Sequence, residues 1–231
     1  MTRRPFTFRP LRLALSALVL TLPSTVAAQQ CLGLTPTTRT RALLSQEASR
    51  GDKGTVDRTR LMVALSRAMA LTASTVRTSY LDTQGEPWEA RGLDVMMSVE
   101  GPTQAEPRYR LCPTIALSGL RSNVANWVNP QEWKLVRFAP GIAAGRPYAV
   151  HPDFTIVPYA QGTFVLESFE TLQPTRSRAT RSYAVAEFGV GVTLYKAFVL
   201  RLSLPVPLGR GESYPGPYAL RTITAGVALL R

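Results

Sequence analysis

The stretch FGVGVTLYKAFVLRLSLPV, residues 188–206, decides the fold class of this chain. From Phe198 to Val206 every second residue is a large apolar one. The residues between them include Arg201 and Ser203, so one face of the segment is apolar and the other is mixed. Because side chains alternate between the two faces of a β-strand, this period of two predicts strands.

The same alternation recurs along the chain, clearly in residues 93–99, 109–117 and 222–229. Polar segments with Gly and Pro, such as residues 83–87, separate these runs in the manner of turns. The spacing predicts an all-β domain of roughly eight to ten strands of about 8–14 residues, joined by antiparallel hairpins.

Residues 56–72 fit two kinds of secondary structure. Leu61, Val63, Leu65 and Met69 share one parity, which indicates a strand. Leu61, Leu65 and Met69 also lie on one face of a helix, and the Ala and Met residues here favour helix. We predict a strand, because the neighbouring segments are strands.

Residues 1–28 have the plan of a secretory signal peptide. A basic start is followed by the apolar run LALSALVLTL at residues 13–22 and by small residues at Val26 and Ala28. The run is about ten residues, too short to cross a bilayer that needs roughly 20. We predict cleavage after Ala28 and an exported domain of residues 29–231. An uncleaved anchor helix, a twin-arginine signal and a lipid-anchored Cys31 remain open alternatives.

The composition excludes several classes of protein. The chain has 27 Lys+Arg against 15 Asp+Glu, a net charge of +12, and 45% apolar residues, too many for a disordered chain. One His excludes His-pair metal motifs, and two Cys cannot supply a four-cysteine zinc site. Since exported thiols pair in an oxidising compartment, we predict a Cys31–Cys112 disulfide, the alternative being two buried free thiols.

Antiparallel strands without helices form either a sandwich or a closed barrel. The apolar parity is aliphatic over four or five positions, enough for a tilted strand to cross a hydrocarbon layer. The opposite parity holds small and polar residues, which suit the packed interior of a narrow barrel. We therefore predict a closed antiparallel up-and-down barrel with its apolar face outward. The predicted lumen-facing polar residues are Arg58, Arg60, Arg110, Glu187 and Arg201.

Seven aromatic residues near predicted strand ends could form girdles at the membrane surfaces. They are Trp88, Tyr109, Trp133, Tyr159, Tyr183, Tyr195 and Tyr218.

The chain resembles the small outer-membrane β-barrel proteins of Gram-negative envelopes. The features that carry this resemblance are the predicted signal peptide, the series of alternating strands and two segments, FGVGVTLYKAFVLRLSLPV and LRTITAGVALLR (residues 220–231). The resemblance implies an outer-membrane location. It also implies contact with outer-membrane lipids and insertion by the barrel-insertion machinery.

No catalytic or cofactor motif is present: the chain lacks GxSxG, HExxH, P-loop and dinucleotide-binding patterns. His151 precedes Pro152 at a predicted turn, and Gly189-Val190-Gly191 indicates close packing within a small barrel. We expect no enzymatic activity, no cofactor and no metal site. An active site assembled across strands remains the alternative.

The basic excess is nearly all Arg, which binds phosphate in a bidentate manner. The predicted loop of residues 173–181 carries Arg176, Arg178 and Arg181, which could meet phosphorylated lipid, as could Arg39 and Arg41. The alternative is a solvated basic surface. Export argues against a nucleic-acid partner.

Two functions follow from these patterns. The first is a non-enzymatic integral outer-membrane barrel with a structural, surface-interaction or narrow-pore role. The alternative is a soluble periplasmic or secreted barrel or sandwich that binds a small apolar ligand. The soluble protein would bury Phe198, Leu200 and Leu202 in its core, whereas the membrane barrel would expose them.

Overall fold

Nearly all of the described chain is β-strand, and no helix in it has the length and apolar character to cross a membrane. The predicted signal peptide, residues 1–28, lies outside the described residues. The computed structural model describes residues 30–33, 40–51, 54–66, 68–81, 87–100, 109–123, 132–171, 176–195, 197–208 and 221–230.

A short 3-10 helix, Gln30–Leu32, precedes eleven strands in the described residues. The strands are β1 Thr40–Gly51, β2 Gly54–Ala64, β3 Met69–Leu81, β4 Pro87–Val99, β5 Arg110–Asn123, β6 Glu132–Gly145, β7 Tyr148–His151, β8 Phe154–Thr171, β9 Ser177–Leu194, β10 Phe198–Leu208 and β11 Arg221–Leu230.

The sheet closes on itself. Strands that are adjacent in sequence pair antiparallel, except that β6 pairs directly with β8. The short strand β7, between them in sequence, pairs with the start of β8, and β11 closes the sheet by pairing with β1. The predicted closed up-and-down antiparallel barrel is therefore confirmed, with ten wall strands in the described chain. We call the end at which β1 finishes and β2 begins the upper end, and the opposite end the lower end.

Residues 56–64 and 69–72 are strand, as predicted rather than helix, but they belong to two strands, β2 and β3, instead of one. A tight turn joins β2 to β3 at the lower end. Within it, the backbone amides of Leu65 and Ser66 donate to the carbonyl of Met69 at 2.9 and 3.1 Å. The Ser66 hydroxyl accepts from the amides of Ala68 and Met69 at 3.2 and 3.0 Å. Serine hydroxyls stabilise turns in this way, and this local chemistry is what interrupts the alternation.

The apolar parity faces outward. On β10, Phe198, Leu200 and Leu202 are 54%, 42% and 44% exposed, whereas Arg201 and Ser203, on the opposite parity, are buried. The same alternation holds on the other strands and forms an apolar band around the barrel wall. Its exposed aliphatic and aromatic members include Leu44, Leu61, Leu71, Leu93, Val95, Met97, Leu111, Ile115, Leu117, Val136, Phe138, Ile142, Phe164, Leu166, Phe188, Ile223 and Val227.

Two expectations about strand bounds are wrong. Strands β8 and β9 are 18 residues each, longer than predicted. Part of the predicted loop 173–181 lies in β9, because Ser177 and Arg178 pair with Thr171 and Glu170 of β8. At the end of a barrel, the side chains on both faces of a strand can contact water. Polar residues such as those of this segment are therefore compatible with a strand there.

The predicted aromatic girdle is wrong for three residues. Trp133 and Tyr159 are buried inside the barrel, and Tyr183 is half-buried with its hydroxyl turned toward an interior carboxylate. Tyr109 and Tyr195 are exposed at the lower end. Tyr218 and the side chain of Trp88 lie outside the described part of the chain.

Candidate functional site: the barrel interior

The interior of the barrel is lined by polar side chains on the inward parity of the strands. This is the only large set of buried polar groups in the described residues, and it is where the candidate site lies. The buried polar and charged residues are Ser45, Glu47, Ser49, Thr72, Ser74, Thr78, Ser98, Glu100, Thr114, Ser122, Arg137, Glu167, Thr193, Arg201 and Ser203.

The first charge network joins strands β1, β2 and β4. Glu47 is buried and forms ion pairs with Arg58 and, at 2.9 Å, with Arg60. The guanidinium of Arg58 also donates to Asp94 at 3.2 Å. Strand register explains the first contact, because Glu47 and Arg58 are direct cross-strand partners.

The second network joins strands β8, β9 and β10. The buried Arg201 donates to the carboxylate of Glu187 and to the hydroxyl of Tyr159. The Tyr159 hydroxyl donates in turn to Glu187 at 2.7 Å. The two networks lie on nearby parts of the wall, because only β11 separates β1 from β10.

Two smaller charge pairs complete the polar interior. Arg137 donates twice to one oxygen of Glu167, at 2.8 and 3.1 Å, and the Tyr183 hydroxyl donates to the same oxygen at 3.2 Å. Toward the lower end, Arg110 pairs with Glu100. Each of these carboxylates therefore accepts from an arginine, which offsets the cost of burying the charge.

An apolar layer covers the charged region on the upper side. Its residues come from the upper parts of their strands, and Trp133 packs against Phe169 with ring centroids 5.4 Å apart. The layer consists of Val56, Val76, Ala90, Leu120, Trp133, Leu135 and Phe169.

The N-terminal segment enters the lower end of the barrel. Cys31 and Leu32 are fully buried, and they pack with Cys112 and Ala143 on the inner faces of β5 and β6. Cys31 and Cys112 form the predicted disulfide, with their Cα atoms 6.0 Å apart. The disulfide ties a plug made by residues 30–33 to the barrel wall.

Glycines make room for this plug. A Cβ added at Gly191 would lie 1.5 Å from the carbonyl oxygen of Gly33, and one added at Gly189 would lie 2.5 Å from the Tyr159 ring. Gly33 itself has a φ of 73°, a left-handed conformation that favours glycine. The close packing predicted for Gly189 and Gly191 is therefore confirmed: Gly191 packs against the N-terminal segment and Gly189 against the ring of Tyr159.

The five predicted polar residues lie on the inward sides of their strands, in three places. Arg58 and Arg60 meet at Glu47, Glu187 and Arg201 meet at Tyr159, and Arg110 stands apart with Glu100.

Sequence reasoning missed several members of these networks. Glu47 follows Leu43 and Leu44, two adjacent apolar residues that hide the parity of β1. Tyr159 and Tyr183 were assigned to the outside because they are aromatic. Arg137 and Glu167 lie on the inward parity of their strands, so the alternation of the sequence would have been enough to predict them as lumen-facing residues.

The described residues contain no cluster of His, Cys, Asp and Glu that could hold a metal ion. His151 is exposed at the end of β7, where its Nδ1 accepts from the amide of Asp153 at 3.4 Å. The interior charge networks can hold neighbouring strands together.

The chain matches no family model and no curated protein. Among solved structures it is similar to the attachment invasion locus protein of Yersinia pestis, with a TM-score of 0.33 and 10% identity over 81% of this chain and 95% of that one. It is also similar to outer membrane phospholipase A from Escherichia coli, with a TM-score of 0.28 and 12% identity over 89% of this chain and 96% of that one.

Proposed function

We propose that this protein is an exported, integral outer-membrane β-barrel with a closed lumen and a structural or surface-interaction role. It has no enzymatic activity in this proposal. Its ten wall strands cross the bilayer, the apolar band contacts lipid, and the plug and charge networks fill the interior.

One observation carries the proposal: the apolar residues of a closed sheet are exposed while its charges are buried. Soluble proteins rarely expose contiguous apolar patches larger than a few hundred Å². A continuous band around a barrel becomes stable when lipid covers it. The soluble alternative requires Phe198, Leu200 and Leu202 to be buried, and they are exposed.

The closed lumen is supported by the order of the layers inside it. Apolar side chains cover the charges from above, and the disulfide-tied residues 30–33 cover them from below. A conducting pore needs a continuous polar path, and the apolar cluster on β2–β6 and β8 together with residues 30–33 supports a filled lumen instead.

The non-enzymatic role is supported by what the interior carboxylates contact. Glu47, Asp94, Glu100, Glu167 and Glu187 each accept from an arginine. A general acid or base must exchange its proton with substrate, and a carboxylate held by a guanidinium is a poor proton donor.

Fractionation tests the membrane assignment. The full chain, expressed in a Gram-negative host, should sediment with the outer membrane, resist alkaline carbonate extraction and require detergent for release. Unheated samples should migrate differently from heated samples on denaturing gels, because the closed barrel resists unfolding. Recovery in the soluble periplasmic fraction, without detergent, would contradict the proposal.

Conductance in planar bilayers tests the closed lumen. The inserted protein should produce no steady current steps in salt solution, and a narrow-pore role predicts small, regular steps instead. A Gly191→Val variant, whose side chain would occupy the position of the Gly33 carbonyl, should displace the plug and raise the conductance. Regular steps from the unaltered protein would overturn the closed lumen while leaving the barrel assignment intact.

A further inference from the structure

A row of charged side chains crosses the outer face of the barrel at the upper edge of the apolar band. Because barrel strands tilt by about 35–45°, a row that runs perpendicular to the strands also climbs along the wall. Strand pairing places seven residues in direct cross-strand register: Asp57, Arg77, Arg91, Arg121, Lys134, Glu170 and Arg178.

Four consecutive members of this row, on β3 to β6, are cations. Residues directly opposite each other on neighbouring antiparallel strands have Cβ atoms about 4.5–5.5 Å apart, and like charges at such positions destabilise the sheet. The row therefore costs stability unless anions lie against it. The four cations are Arg77, Arg91, Arg121 and Lys134.

The protein supplies only part of the compensation. The first and third cations pair with Glu89, at 3.0 Å, and with Glu132. Within the described chain, Arg91 and Lys134 form no ion pair. Glu170, directly opposite Lys134, forms its ion pair with Arg176 instead. Arg91 and Lys134 therefore lie on either side of Arg121 as outer-surface cations without an ion pair among the described residues.

A notch with apolar walls lies immediately below these cations. Gly119 is the next outward residue of β5, and a Cβ added to it would meet nothing within 4 Å. Its direct cross-strand partners are Leu93 and Val136, which are 63% and 59% exposed. The next residues down, Val95 and Leu117, continue the apolar surface.

We infer that Arg91, Arg121 and Lys134, together with the notch at Gly119, bind a lipid whose headgroup is a phosphate monoester. The phosphate contacts the three cations, and an acyl chain lies in the notch between Leu93 and Val136. A phosphate monoester carries a charge of about −1.5 to −2 at neutral pH, which matches the two cations that have no ion pair among the described residues. Arginine binds such a group in a bidentate manner.

The apolar notch favours a lipid over other phosphorylated partners. A phosphoprotein or a nucleic acid would use the cations and leave the notch empty. The inference rests on the proposed function, because an acyl chain reaches Gly119 only if the outer wall faces the bilayer.

Native mass spectrometry of the folded barrel in a neutral detergent tests the site. The protein is mixed with equal amounts of phosphatidic acid, phosphatidylglycerol and phosphatidylcholine that carry identical acyl chains. Phosphatidic acid should bind with a stoichiometry of one and in preference to the diester lipids. At about 1 kcal/mol for each cation near an anionic headgroup, Arg91→Gln/Lys134→Gln should weaken this binding about 30-fold.

Three comparisons make the test specific. The double variant Arg50→Gln/Arg146→Gln removes the same charge from outside the site and should retain the binding. Gly119→Phe fills the notch and should weaken binding of long-chain phosphatidic acid without removing any charge. Inorganic phosphate at millimolar concentration should compete poorly, since it has no acyl chain.

The inference is overturned if the three lipids bind equally, or if the two double variants lose binding to the same extent. Equal competition by inorganic phosphate, or full binding by Gly119→Phe, overturns the role of the notch. Insertion of each variant into phosphatidylcholine vesicles is checked first by heat-dependent gel mobility. A failure of the unaltered protein to insert counts against the membrane assignment, whereas normal insertion without lipid preference counts against this site alone.

Discussion

The outer wall and the interior of this barrel are built from the same strands, yet they follow opposite rules. On β10, Leu200 and Leu202 are exposed, while Arg201 between them is buried against Glu187 and Tyr159. In a soluble protein these positions would be reversed. The hydrophobic pattern alone therefore does not decide which face of a strand points inward; in the proposed membrane location, the lipid outside favours the apolar face.

The two regions also use their charges differently. Interior arginines and carboxylates are buried and hold several strands together, as Glu47 does with Arg58 and Arg60. Outer pairs such as Arg77–Glu89 join only adjacent strands. The Arg77 side chain is more than half exposed and the Glu89 side chain is nearly half exposed. Removing a partner should therefore cost far more inside than outside.

The largest effect is expected for Glu47→Gln. The substitution removes the carboxylate that faces two interior arginines and leaves their charges uncompensated. Loss of one partner of a buried pair costs about 3–5 kcal/mol. Urea unfolding of the barrel in phosphatidylcholine vesicles would measure it. A loss below about 1 kcal/mol would show that the interior is hydrated well enough to screen these charges.

The second-largest loss of stability is expected when the disulfide that tethers the plug is removed. The Cys31–Cys112 disulfide closes a segment of 81 residues, and the chain-entropy relation assigns about 4.5 kcal/mol to such a loop, less any native strain. Cys31→Ser/Cys112→Ser should unfold at a correspondingly lower urea concentration. Reducing the unaltered protein with dithiothreitol should reproduce that shift, and an unchanged midpoint would mean that the plug contributes little to stability.

Leu202→Arg should lower the free energy of unfolding by about 2–4 kcal/mol, since an arginine near the bilayer midplane is costly. Leu208→Arg, at the upper end of the same strand, provides the matched control. It should cost about 0–1 kcal/mol, because the cost falls toward the membrane surface. Equal costs at the two positions would contradict the placement of the apolar band across the bilayer.

The smallest effect is expected for Glu89→Gln on the outer wall. Its pair with Arg77 is exposed, and such pairs contribute about 0–1 kcal/mol. The same urea unfolding assay should show a shift within this range, and added salt should reduce it further. A loss as large as that of Glu47→Gln would remove the distinction between the two regions.

The period of two in the sequence predicts the strands, and the long aliphatic parity opposite small and polar residues predicts the closed barrel with its apolar face outward. It works because alternating residues in a wall strand meet two different environments along its whole length. The pattern also identified Arg201 and Glu187, since each interrupts a run of small or apolar residues. The disulfide followed from the exported context and the count of two Cys residues.

Other features depend on contacts that no local pattern encodes. Trp133 and Tyr159 are aromatic residues near strand ends, yet they fill the interior because the lumen needs large side chains there. The pairing of Arg58 with Asp94, which lie on strands that are not neighbours, depends on the diameter of the barrel. The charged outer row appears only when strand registers are known, because its members are scattered from residue 57 to residue 178.

Accessibility of neighbouring positions on β10 tests the central claim most directly. A nitroxide spin label is placed at Leu202 in one sample and at Ser203 in another, and the protein is inserted into phosphatidylcholine vesicles. The account predicts that oxygen dissolved in the lipid relaxes the label at position 202 strongly and the label at position 203 weakly. A label at position 202 that is shielded from oxygen, with the label at position 203 exposed to lipid, would contradict it.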